Sequence, residues 1–148
     1  MAVGTGTKRS PAYSGVRWYE IRSPATPVLY QQGTFAPDST SRWMSSAAFD
    51  KLGNIAIGYS TSSKVVNPGI RYATRVPTDT LGILSNEVNV ITGGGVQSGT
   101  LHRWGDYSAM TVDPVDDCTF WYTNEYQATT GSFNWSTYIN SFKVATCP

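Results

Sequence analysis

The chain has 148 residues, the size of one domain, and 40% of them are hydrophobic and 13% aromatic, enough for a real core. Charged residues make up only 14%, and a net charge of +1 gives no electrostatic case for nucleic acid or an anionic membrane as partner. No apolar run approaches the ~20 residues of a membrane-spanning helix, and Tyr, Trp, Thr, Ser and Gly fill the space left by charge, as in all-β proteins.

Residues 1–14 are Gly/Thr/Ser/Pro-rich and read as a flexible N-terminal segment. They lack the apolar centre of a secretory signal. A strand is expected over 15–22, broken by Ser23-Pro24 and Thr26-Pro27, with a second at 28–32. A loop at 33–41 leads to a hairpin at 43–62, turning at Lys51-Leu52-Gly53-Asn54. Asn67-Pro68-Gly69 turns the chain into a strand at 70–75, and another short strand follows at 87–91. The glycines at 93–95 and 99 make a flexible connection. A second hairpin runs through Met110 and Val112 to Asp113, turns over 114–117 and returns through Cys118, Phe120 and Tyr122. A polar loop at 127–134 precedes a final strand at 138–144. No window has the 3.6-residue period of an amphipathic helix.

The two hairpins repeat. Asp50 aligns with Asp113, Ile57 with Phe120 and Tyr59 with Tyr122, a spacing of 63 residues, and Gly-aliphatic-Arg-aromatic recurs at 15–18 and 69–72. The spacing is longer than the ~40–50 residues of a propeller blade, with the excess in loops. Asp50 and Asp113 open turns and are expected to cap their own backbone. Asp116 and Asp117 sit in a turn as well, with surface Ca²⁺ binding as the alternative. Cys118 and Cys147 are too few for a disulfide scaffold. They are either two buried thiols or one bridge that staples the last strand, and the position of Cys147 favours the bridge.

The run Arg103-Trp104-Gly105-Asp106-Tyr107-Ser108, then Val112-Asp113-Pro114 and Asp116 to Tyr126, with Phe133-Asn134-Trp135, Ser141-Phe142 and Cys147, resembles the C-terminal blades of large exported bacterial sialidase-like β-propeller proteins. The likeness spans about 15–148 and is most specific at 103–147. It implies an all-β, partial propeller of about two to two and a half four-stranded antiparallel blades, with boundaries near 42 and 103. It also implies a secreted or periplasmic location. Sialidase chemistry is not implied, because the arginine triad, the tyrosine nucleophile and the S-x-D-x-G-x-T-W box are missing. An incomplete propeller leaves sheet faces open, so closure by self-association is expected, most simply three copies giving six blades.

The candidate site is the approach to the inner strand of the last blade: His102, Arg103, Trp104, Asp106 and Tyr107, with Glu125 beyond a strand end. Arg103-Trp104 repeats Arg42-Trp43, which favours packing, and both tryptophans are expected to be buried. His102 and Asp106 do not repeat, since Ser45 holds the place of Asp106, and asymmetry between repeats is where function is grafted. Two readings stay open. One is a non-catalytic structural or binding module for a glycan or protein. The other is a metal-assisted hydrolase of esters or phosphoesters, with His102 and Asp106 as catalytic and metal-holding residues for a divalent ion such as calcium or zinc.

Overall fold

A computed structural model describes residues 2–5, 13–85, 87–100 and 103–147. The described residues hold ten strands and no helix, in three antiparallel sheets taken in chain order. The first sheet is β1 (Ala2–Thr5), β2 (Val16–Arg22) and β3 (Val28–Phe35). The second is β4 (Ser41–Phe49), β5 (Ile55–Ser62), β6 (Gly69–Arg75) and β7 (Glu87–Ile91). The third is β8 (Ala109–Val112), β9 (Phe120–Tyr126) and β10 (Ser136–Phe142). Ala2–Thr5 fall within the segment expected to be flexible, yet they pair with β2 from Ala2↔Tyr19 to Thr5↔Val16.

Strand β5 is buried at every position except Ser62, so the second sheet is covered on both faces at this strand. Side chains alternate across a strand. Ile55, Ile57 and Tyr59 therefore pack one way, with Val16 and Trp18 of the first sheet. Ala56 faces the other way, into a cluster with Ile70, Met110, Phe120 and Tyr122. The repeat read from sequence is thus a repeat of packing. Val16 and Ile70 each face the following sheet, while Ile57 with Tyr59, and Phe120 with Tyr122, each face the preceding one. Gly58 makes the second contact close: a Cβ there would lie 2.4 Å from the Tyr122 ring.

Two details of the second hairpin differ from expectation. Ala47 pairs with Ile57, but Met110 pairs with Tyr122 rather than Phe120. The returning strand starts at Phe120, so Cys118 lies in a longer turn that Asp113 N–H closes on Thr119 O at 2.8 Å. A two-residue slip keeps every side chain on its face, which is why the slip leaves the core intact. The turn carboxylates cap as expected. Asp50 Oδ1 accepts from Leu52 N and Asn54 N, and Asp116 Oδ1 accepts from Cys118 N and Thr119 N. The Thr119 bonds, with Lys143 adding to them, hold Asp116 well below the ordinary carboxylate range. Cys118 and Cys147 are bridged, with Cα atoms 5.7 Å apart, and Thr146 Oγ1 donates to Asn54 Oδ1 at 3.1 Å. The 29-residue separation corresponds to about 3–4 kcal/mol of loop-closure stabilisation in the chain-entropy treatment. Such a bridge persists in oxidising compartments.

One carboxylate ties all four strands of the second sheet. Glu87 on β7 accepts from Arg42 Nε at 2.7 Å and Nη2 at 3.0 Å, from Tyr59 Oη at 2.8 Å and from Arg71 Nη1 at 2.6 Å. These partners sit on β4, β5 and β6. Arg42 is fully buried, also pairs with Asp38 at 2.9 Å, and lies 5.6 Å over the Phe35 ring. Burial alone would raise Glu87, but the hydrogen bonds from Arg42, Tyr59 and Arg71 outweigh it and hold the carboxyl below its ordinary range. Hydrogen bonding from Arg42 holds Asp38 at about 2. Both pKa values are depressed by folding, so this stabilisation is present above the ordinary carboxylate range and is lost as pH falls through the folded values. Chemical denaturation should show stability falling from about pH 4 toward pH 2. Glu87→Gln should cost about 3 kcal/mol at neutral pH, because it removes one of the two carboxylates that balance the buried Arg42, and should flatten the acid limb. Wild-type stability and pH dependence in Glu87→Gln would contradict this role.

Candidate functional site

The stretch before β8 folds back over the ends of β4, β5 and β9. Gly105 has φ +55°, and its N–H donates to Glu125 Oε2 at 2.9 Å. Trp104 Nε1 donates to Ser60 Oγ at 3.0 Å, and its ring lies 6.2 Å from that of Trp43. Gln97 Nε2 donates to Arg103 O at 2.6 Å, and Ser108 Oγ to Met44 O at 3.1 Å. The segment is therefore fixed by hydrogen bonds to β4, β5 and β9 rather than by burial of its own side chains.

This fixing opens a cavity of about 320 Å³. Five residues singled out from sequence line it together: Arg103, Trp104, Asp106, Tyr107 and Glu125. Gly105, Phe133 and Trp135 complete the wall. The Phe133 and Trp135 rings are 5.7 Å apart, and Phe133 is strained at φ 57°. Tyr107 is 90% exposed and Phe133 68% exposed, so both rings stand at the rim with open faces. Arg103 and Asp106 form an ion pair, which leaves the Glu125 carboxylate as the unbalanced charge of the wall. The equivalent place one sheet earlier holds a cavity of about 410 Å³ lined by Tyr13, four serines, Lys64 and Val65. It lacks the aromatic wall.

Several expectations change. Trp43 and Trp104, expected to be buried in the core or between blades, are half-buried, and their rings lie side by side at a tilt of 60°. Arg42 and Arg103 share a dipeptide but not an environment, since Arg42 is fully buried and the Arg103 side chain is 64% exposed. His102 lies outside the described residues, so the expected His102/Asp106 metal pair is not assembled from what is described. Among the described residues no group of three His, Cys, Asp or Glu side chains is placed to hold a metal ion. Phe133 and Trp135 were not read as site residues. Their signal was an aromatic pair two residues apart at the end of a polar loop.

No protein-family model matches the chain, and neither a curated protein nor a solved structure matches it. The chemistry of the site is read from its geometry. Aromatic faces beside an Arg–Asp pair and a carboxylate can hold a ligand with apolar faces and hydroxyl edges. The described lining residues include no Ser, Cys or His; Tyr107, Asp106 and Glu125 are its side chains able to serve as nucleophile or base. Gly105 is the hinge of the wall. An alanine there meets an unfavourable φ, and its Cβ would sit 3.1 Å from Met44 Cγ. Gly105→Ala should lose about 1 kcal/mol in urea denaturation. The opposite sign, the gain seen where a glycine's φ suits alanine, would show that this turn is not held as described.

Proposed function

We propose that the chain is a non-catalytic binding module made of sialidase-like propeller blades from an exported bacterial protein, and that it binds a glycan at the cavity between Trp104 and Trp135. The observation that carries the reading is the wall itself: four aromatic residues, all of them off the regular strands, around an Arg–Asp pair and the Glu125 carboxylate. An aromatic wall on rigid sheets with exposed rims costs stability unless something binds it. The sheets play the part of blades, and their open outer faces favour ring closure with further copies. Three sheets in each chain make two copies the number that supplies six. The three copies expected from sequence would supply nine, above the usual range of about 4–8. The hydrolase reading has the weaker support: the described lining offers Tyr107, Asp106 and Glu125 but no Ser, Cys or His beside them, and among the described residues no group of three side chains is placed to hold a metal ion.

Calorimetric titration and tryptophan fluorescence against a panel of neutral and acidic oligosaccharides test the binding. At least one sugar should bind, and Trp135→Ala should weaken it by about tenfold or more, equivalent to about 1.4 kcal/mol. No binding across the panel, together with turnover of chromogenic esters or phosphoesters, would replace this reading with the enzymatic one.

A further inference from the structure

The charges of the cavity wall select among glycans. Arg103 is the cation of the described lining, and the Asp106 carboxylate three residues on already meets it. Glu125 is the second carboxylate. It sits half-buried on β9, opposite Thr137 of β10. Its Oε2 accepts the Gly105 N–H at 2.9 Å, which holds the side chain at the wall. Among the described residues no cation pairs with it and Oε1 has no partner. A half-buried carboxylate is screened less by water than an exposed one, so it attracts a cation more strongly.

The rings favour the same ligand charge. The face of an aromatic ring is the negative part of its quadrupole and attracts a cation within about 6 Å. Elsewhere the chain covers such faces with its own arginines. Arg22 lies 3.4 Å over Tyr30, Arg17 5.0 Å over Tyr19 and Arg42 5.6 Å over Phe35. The cavity gathers Trp104, Tyr107, Phe133 and Trp135, and no described arginine lies over any of them. Arg103 stands in the same wall but is drawn to Asp106. The cavity one sheet earlier has the opposite character: Lys64 is its charged residue, and no carboxylate is among its described lining.

We propose that the site holds its glycan through a positive charge, a protonated amine on a sugar ring seated between the aromatic faces and the Glu125 carboxylate. The proposal rests on the glycan-binding reading above and names the class of sugar. The apolar face of the sugar stacks on an aromatic ring, and the ammonium donates to Glu125 Oε1, the oxygen that Gly105 leaves open. A neutral sugar gains the stacking but leaves Glu125 uncompensated. An acidic sugar must displace Asp106 to reach Arg103, and its own carboxylate then meets Glu125, a repulsion between like charges.

Calorimetric titration of the full chain with β-1,4-linked tetramers of glucosamine, N-acetylglucosamine, glucose and glucuronate tests this. At about pH 7 a sugar amine is largely protonated and an ordinary histidine largely neutral. The glucosamine tetramer should bind about tenfold tighter than the glucose and N-acetylglucosamine tetramers, and the glucuronate tetramer weakest. Glu125→Gln, checked by circular dichroism for wild-type fold, should bring the glucosamine tetramer down to the level of the neutral ones. Phe133→Leu should also reduce the preference, which keeps the test open if Glu125→Gln misfolds. Lys64→Gln, in the other cavity, should retain it. Cyclohexylammonium serves as a cation that is not a sugar. If the four tetramers bind alike, or the glucuronate tetramer binds best, the cation site is wrong and the glycan-binding reading stands. If the preference survives in folded Glu125→Gln, the charge is not read at this cavity and the proposal falls. If no sugar binds but cyclohexylammonium binds and Glu125→Gln abolishes it, the cation site stands and the glycan reading falls. If nothing binds, both are overturned.

Discussion

Strand β5 of the second sheet has no side that faces water, and the rest of the molecule follows from that constraint. A strand buried on both faces must alternate two kinds of contact. β5 does so with Ile55, Ile57 and Tyr59 toward the first sheet and Ala56 and Gly58 toward the third. The large residues on one face and the small ones on the other set unequal spacings. Tyr122 can lie against the backbone at Gly58 only because the third sheet approaches so closely. The Tyr72 and Phe142 rings stack 3.7 Å apart in the same interface. On the other face, the Glu87 carboxylate draws side chains from β4, β5 and β6 to β7, so the sheet is cross-linked by charge where it is also covered by Phe35.

The same dipeptide meets two fates because the sheets differ by one strand. Arg42 is buried because β7 supplies Glu87 to receive it. The third sheet has three strands among the described residues, and no β7 counterpart offers a carboxylate to Arg103. Arg103 turns instead to Asp106, three residues on, at the position where the earlier repeat has Ser45. The charge that is structural in one repeat is thereby released to the rim of a cavity in the next. The candidate site lies where the repeat is broken, and the broken positions are those that a folding requirement no longer holds.

Much of the fold was legible because its signals are local. Hairpin turns at Lys51–Asn54 and Pro114–Asp117, alternating strands and the 63-residue recurrence gave nine of the strands and the order of the sheets. β1 escaped because Ala-Val-Gly-Thr carries too little β propensity to stand out, and its pairing to β2 is a long-range contact. The slip in the second hairpin was also invisible, since a two-residue shift leaves the hydrophobic pattern unchanged. The bridge was legible from the place of Cys147 in the chain. Glu87 went unnoticed as the centre of a network because three of its partners arrive from other strands, 16 to 45 residues away. At the site, Asp106 stood out by its failure to repeat. Phe133 and Trp135 did not, because an exposed aromatic pair looks the same in sequence as a pair bound for the core.

Native-state amide hydrogen exchange measures the central claim directly, that the second sheet is the one layer protected from both sides. The amides of Ile55 to Thr61 should exchange only through global unfolding, with opening free energies equal to the stability from denaturation. Those of β3 and β10, at the outer edges of the first and third sheets, should exchange earlier through local opening. If β5 amides exchange as readily as those of β10 under conditions where the chain remains folded, the second sheet is not sandwiched, and the repeated packing described here is wrong.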